Sequence, residues 1–392
     1  MKRTRRAVLI ALATVVAGVA LLLVACGGDE ESSPSDAADS ATEAAQTPEP
    51  TATDAPDSAT EAAQTPESAT AATGDTAAEA AQTPESTAAA TAAPQKKETI
   101  VFSDLNWPSA EIQARVAAFI VEHGYDYPTD LVPGDTVSLW QALVNGDTHV
   151  TMEIWPAQQE WLLDVEEGTL VALGTSLDTG WEAWVIPQYV RDANPGLVSV
   201  TDIPEYAHLF VTPDSRGKAR FVTCIPGWAC EQVNEAKVEA YGLTDVVDLL
   251  NPGSGAGLFA DLEAAYAKGE PWIGYMWHPT PLSVSLDLYI LEEPPYSDEC
   301  WSTNKACAYP EAKVLIMVNA SLAERAPEVI EFLEKWVFKA ADQVATELWM
   351  EENNEDSDVG ALWYLRNFRD VWASFVPPEV AERVDKALED EG

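Results

Sequence analysis

The stretch that decides the reading is VTCIPGWACEQVNEAK, Val222–Lys237. Cys224 and Cys230 stand six positions apart with Pro226, Gly227 and Trp228 between them, and a helix-forming run follows from Glu231. Gly227 frees the backbone for a tight turn. A loop pinned by its cysteines would leave the amides of Trp228, Ala229 and Cys230 at the start of the helix. Free amides and the helix dipole favour a carboxylate there. The plainer alternative is a staple across a surface turn.

Working outward, the remaining cysteines fall in the same pattern. Cys224, Cys230, Cys300 and Cys307 form two close pairs. In an oxidising compartment, local bonds 224–230 and 300–307 are the economical choice among three connectivities. A zinc site fits poorly: the spacings are C-x5-C and C-x6-C, and only His123, His149, His208 and His278 are available. No metal or other cofactor is expected.

The compartment is read from the first residues. Lys2, Arg3, Arg5 and Arg6 precede an apolar run, Ala7–Ala25, which ends in LVAC at Cys26. Residues 1–25 read as a signal peptide. The small residue before cysteine resembles the bacterial lipobox, which implies lipidation of Cys26 and an extracytoplasmic protein held at the outer face of the cytoplasmic membrane, or a periplasmic one. Residues 26–97 are almost wholly Ala, Thr, Ser, Pro, Glu and Asp, with AAQTPE at 44–49, 62–67 and 80–85. With no aromatics to form a core, this segment reads as a disordered tether.

Residues 98–392 hold nearly all the large apolar side chains. They also hold about 35 more acidic than basic residues, within a formal charge of −43 for the whole chain. That excess argues against nucleic acid or anionic lipid as a partner. About 295 residues is more than one core usually holds, so two lobes are expected. TIVFSD, THVTMEIW, ARFVTC, PWIGYMW and AKVLIMVN read as strands, and SAEIQARVAAFIVEHGY, VSLWQALVNGD, EQVNEAKVEAYG and LFADLEAAYAKGE as helices. The alternation predicts an α/β fold with largely parallel sheets. EAWVIPQYV reads as the crossing into the second lobe. The expected organisation is 98–185 for the first part of lobe 1, 186–310 for lobe 2 and 311–392 for the return to lobe 1.

Fourteen tryptophans is a high number. Trp140, Trp336, Trp349, Trp363 and Trp372 lie within helical patterns and read as packing residues. Trp155, Trp228 and Trp277 differ, because EIWPAQ, IPGWAC and YMWHPTP place each beside proline or glycine at the end of an element. Ligands of open α/β sheets bind outside the carboxyl ends of the strands. Several indole faces around one cleft attract a cation without hydrogen bonds, such as trimethylammonium, at ~0.5–2 kcal/mol per contact.

CIPGWACE together with YMWHPTP and EIWPAQ resembles the glycine betaine and proline betaine binding proteins of ABC importers. The resemblance spans essentially all of 98–392. It implies the type II periplasmic-binding-protein fold, two α/β lobes joined by a two-stranded hinge with the ligand cleft between them, and delivery of an osmoprotective solute to an ABC permease. It implies an ammonium cage of Trp155, Trp228 and Trp277, and a carboxylate held by the amides of Ala229 and Cys230. Some relatives carry a histidine where this chain has Gln159, whose amide would donate instead. Trp107, in DLNWPSA, resembles a fourth wall seen in choline-binding relatives, and Trp181 is a further candidate. A choline or carnitine receptor of the same fold is the nearest alternative.

The alternative from another class is a stalked cell-surface enzyme acting on carbohydrate, since aromatic platforms also stack sugars. No G-x-S-x-G or H-E-x-x-H is present, and a nucleophile would need a positioned base. NPGSGAG at 251–257 lacks the lysine of a phosphate loop. It reads as a helix-entry turn, with Ser254 as a candidate contact. His278 reads as packing near the cleft.

Overall fold

Short apolar runs alternating with helices build two five-stranded sheets in the computed structural model, which describes residues 97–391. The signal peptide, Cys26 and the tether lie outside the described residues. The strands are β1 (Ile100–Leu105), β2 (Thr129–Gly134), β3 (Val150–Ile154), β4 (Leu170–Thr175), β5 (Trp181–Pro187), β6 (Ala219–Val222), β7 (Val247–Leu250), β8 (Gly274–His278), β9 (Leu288–Ile290) and β10 (Leu315–Asn319).

The first sheet has the order β2-β1-β3-β10-β4 and the second β7-β6-β8-β5-β9. Within each, the first strand pairs in parallel with the second and third. One strand per sheet runs antiparallel to both neighbours, β10 in the first and β5 in the second. Both sheets therefore repeat one plan, and the reversed strand is in each case the first laid down after the chain crosses from the other sheet.

The crossing into the second sheet falls between Thr175 and Trp181, ahead of the boundary expected at 185. The segment EAWVIP is a strand of that sheet, with Trp184, Val185 and Ile186 wholly buried. The chain returns before Leu315. At Gly180 an added Cβ would lie 3.1 Å from that of Ala312, so the outgoing and returning segments run side by side.

Local chemistry sets the helices that frame the cleft. Pro108 occupies the first turn of the helix Pro108–Phe119, where its missing N–H costs nothing. Asp135 caps the helix Thr136–Asn145 by accepting from the Ser138 amide at 2.9 Å, and Gly146 ends it at φ +79°. Trp336 and Trp372 are buried among the apolar side chains, as their helical settings suggested. Among the described residues no helix is long and apolar enough to cross a membrane.

Candidate functional site

Three chain segments leave their strands and present a tryptophan. Trp107 follows β1, Trp155 follows β3, and Trp228 follows the loop after β6; each is the residue that precedes a helical turn. Trp277 lies inside β8 rather than beyond it, on the same face as Tyr275 and directly across from Glu182 of β5. These six side chains line one cavity of about 380 Å³, together with Ala229 and Cys230 and a few residues of the first lobe. Trp107 and Trp228 meet edge to face with centroids 5.3 Å apart, and Trp228 and Trp277 do so at 5.5 Å. All four indoles are nearly buried, with exposures of 5–9%.

Each indole has a distinct restraint. Trp107 and Trp155 donate their ring N–H groups to the same oxygen of Glu153, at 2.8 and 3.0 Å. Gln113 donates to the other oxygen at 2.6 Å, and Glu153 is wholly buried. Burial pushes the Glu153 carboxyl above the ordinary range, and these donors pull it back. Trp228 donates to Asn106 of the first lobe at 2.7 Å, across the cleft. Trp277 stacks between Phe259 and Tyr275, with centroids at 5.1 and 5.9 Å.

The loop that carries Trp228 is closed by the Cys224–Cys230 disulfide, and Cys300–Cys307 is bonded likewise. Asn234, one helical turn further on, props it from below. Its amide donates to Thr223 at 3.0 Å, and its carbonyl accepts from Trp184 and Tyr309 at 2.7 and 2.8 Å. Gly227 has φ +89°, and a Cβ there would fall 2.7 Å from Cγ of Asp135. Its carbonyl accepts from the amide of Val137 at 3.2 Å, so the loop docks on the first lobe through backbone. The amides of Ala229 and Cys230 have no partner among the described residues, as the first turn of a helix dictates.

The second lobe also contributes a carboxyl group. Glu182 accepts from the Tyr275 hydroxyl at 2.7 Å, while its other oxygen is buried without a partner. Burial raises this carboxyl to about 7, against the smaller opposing effects of Tyr275 and Lys237.

The structure brings Trp107, Trp155, Trp228, Trp277, Ala229 and Cys230 to one cavity, and it sets Gln159 elsewhere. The Gln159 amide donates to the carbonyls of Lys313 and Ile154 at 2.6 and 3.2 Å, tying the first lobe to the returning segment. Its neighbour Gln158 lines the cavity, with its carbonyl oxygen accepting from the Trp155 amide at 2.7 Å. Ser254 caps the helix Gly255–Lys268, while Gly255 lies against the Trp228 ring. Trp181 and His278 stack on each other at 5.7 Å, outside the cavity lining. Glu153, Glu182 and Tyr275 went unnoticed in the sequence. Their signal was an acidic residue inside or beside a buried strand, and a tyrosine two positions before Trp277.

Residues 98–367 match the family described as the substrate binding domain of ABC-type glycine betaine transport systems. The chain is similar to the trimethylamine N-oxide-binding protein of Pelagibacter ubique, 26% identical over 295 residues that cover 72% of this chain and 92% of that protein. Among solved structures, an ABC-transporter choline binding protein in complex with choline aligns with a TM-score of 0.61 at 20% identity, covering 74% of this chain and 98% of that one. Lactococcal OpuAC, in its closed form with glycine betaine, aligns with a TM-score of 0.57 at 16% identity, covering 72% and 100%. These likenesses carry the two-lobed type II periplasmic-binding-protein fold. Family members are transport receptors and not enzymes, which removes the carbohydrate-acting alternative. The chain belongs to the family of substrate-binding domains of ABC-type glycine betaine transport systems.

Proposed function

We propose that the protein binds a trimethylammonium solute, glycine betaine first among them, between its lobes and delivers it to an ABC permease. In this reading Trp107, Trp155, Trp228 and Trp277 enclose the ammonium head, and the amides of Ala229 and Cys230 take the carboxylate. The observation that carries it is the convergence of four indoles from both lobes on a cavity whose edge is a helix start with free amides. A quaternary head needs no acceptor and gains from each ring face. A primary ammonium would give up its hydration among rings that cannot replace it. Cys26, lipidated, would anchor the receptor outside the cytoplasm, and residues 26–97 would let it range roughly 45 Å from the membrane.

Trimethylamine N-oxide is the second reading, favoured by the Pelagibacter ubique relative. Its single oxygen needs fewer donors than a carboxylate. Calorimetric titration of the purified chain with glycine betaine, choline and trimethylamine N-oxide separates these. The expected result is tightest binding of glycine betaine, at about micromolar Kd or below. Absence of heat and of tryptophan fluorescence change with all three at millimolar concentration contradicts the reading.

A further inference from the structure

Glu153 is a wholly buried acidic residue directly behind the box. Trp107, Trp155 and Gln113 all donate to it. Gln113 cannot turn to offer its carbonyl, because that oxygen accepts from Ser176 and Trp336, both at 2.7 Å. A protonated carboxyl would need an acceptor for its hydrogen, and these partners supply none. The donor set is that of an anion. No Lys or Arg pairs with it among the described residues. The neighbouring Glu347 is pushed up to about 8 by burial, with the Glu153 charge adding to the rise, so at neutral pH it stays protonated. One unpaired negative charge thus remains at the back of the box, and a buried charge without a counterion is costly.

We propose that Glu153 is the fixed countercharge of the box: it holds Trp107 and Trp155 by their N–H groups and makes their rings electron-rich, so that the site prefers a cationic head to an uncharged head of the same shape. This rests on the trimethylammonium reading above. Glu153 does not line the cavity, and it acts through the two indoles as a positioning residue. Hydrogen-bonding an indole N–H to an anion draws electron density towards the ring face, which strengthens attraction for a cation. The charge also attracts the ligand directly through a medium of low polarity.

The test compares glycine betaine with 3,3-dimethylbutanoate, which keeps the carboxylate and replaces the quaternary nitrogen by carbon. Both are titrated into the full chain, into Glu153→Gln, and into the double variant Gln113→Glu with Glu153→Gln. The double variant keeps donors matched to acceptors while moving the charge one side chain further from the box. For Glu153→Gln, betaine affinity is expected to fall roughly thirty-fold, as for loss of one unit charge an indole's width away. Binding of 3,3-dimethylbutanoate should stay within about threefold, and the double variant should fall between.

An equal loss for both ligands, in both variants, means that Glu153 only positions the rings and overturns the proposal. Unchanged betaine binding does the same. If the unaltered chain binds neither betaine nor any other trimethylammonium compound, the functional reading itself fails and this inference falls with it. If the unaltered chain binds betaine but the variants keep the betaine preference, only the countercharge is refuted.

Discussion

The two walls of the cavity are built differently. In the first lobe, Trp107 and Trp155 hang from one buried carboxylate that belongs to the same sheet, so their positions do not depend on the other lobe. In the second lobe, Trp228 rides on a disulfide-closed loop and finds its N–H partner, Asn106, across the cleft. Trp277 is held by stacking alone, beside a glutamate with a free oxygen. The comparison teaches that one wall is a prepared surface and the other completes itself when the lobes meet. That division suits a receptor that closes on its solute.

Removing an indole from either wall should have the largest effect. Trp155→Ala and Trp228→Ala are each expected to weaken betaine binding about 100-fold or more by calorimetry, given the ring contact and packing lost. The walls separate kinetically: Trp228→Ala also removes a bond that exists only between the lobes, so its dissociation rate should rise further. Equal dissociation rates for the two variants would break the comparison.

Gly227→Ala comes next. The left-handed backbone and the approach to Asp135 penalise any side chain, and the clash lies at the junction between lobes. Betaine affinity should fall roughly tenfold, since closure carries about 1–2 kcal/mol of the strain. The stability of the ligand-free chain, followed by thermal melting, should change less.

The two disulfides offer a matched control. Each closes a loop of similar length, so replacing Cys224 and Cys230 by Ser, or Cys300 and Cys307 by Ser, should cost about 2 kcal/mol of stability in either case. Only the first pair supports cavity amides, so only its loss should reduce ligand affinity at temperatures where both variants are folded. Melting curves and titrations on the two variants check this.

The smallest effect is a pH slope. The folded Glu182 carboxyl titrates near 7, above its unfolded value, so the folded state holds an extra proton between the two. Stability from this group is full below the unfolded value and is lost as pH rises towards about 7, a change of up to about 3 kcal/mol. Glu182→Gln should be flatter than the unaltered chain over pH 4.5–7 in denaturant unfolding. Parallel curves would show that Glu182 is not held neutral.

Much of this was legible because it is local. CIPGWAC, EIWPAQ and YMWHPTP each carry their meaning within a few residues, and the helices were marked by apolar periodicity and by Gly146 or Asp135 at their ends. Strands β2, β4, β7 and β9 were not recognised, and all four lie at sheet edges, where apolar alternation weakens. TDLVPG even contains Pro133, which an edge tolerates. The reversed strand β5 looked like a connector because its partners, β8 and β9, lie about a hundred residues downstream. Glu153 was hidden for the same reason. Its donors Trp107 and Gln113 are 46 and 40 residues away, and only the sheet brings them together. The Gln159 expectation came from spacing, whereas the local turn at Pro156 directs its side chain to the returning segment.

The most direct measurement is a crystal structure of the purified chain with glycine betaine. The account predicts the quaternary nitrogen within about 6 Å of the faces of Trp107, Trp155, Trp228 and Trp277, with the carboxylate on the amides of Ala229 and Cys230. Betaine bound outside this cavity, or inside it with its carboxylate turned away from the helix start, would contradict it.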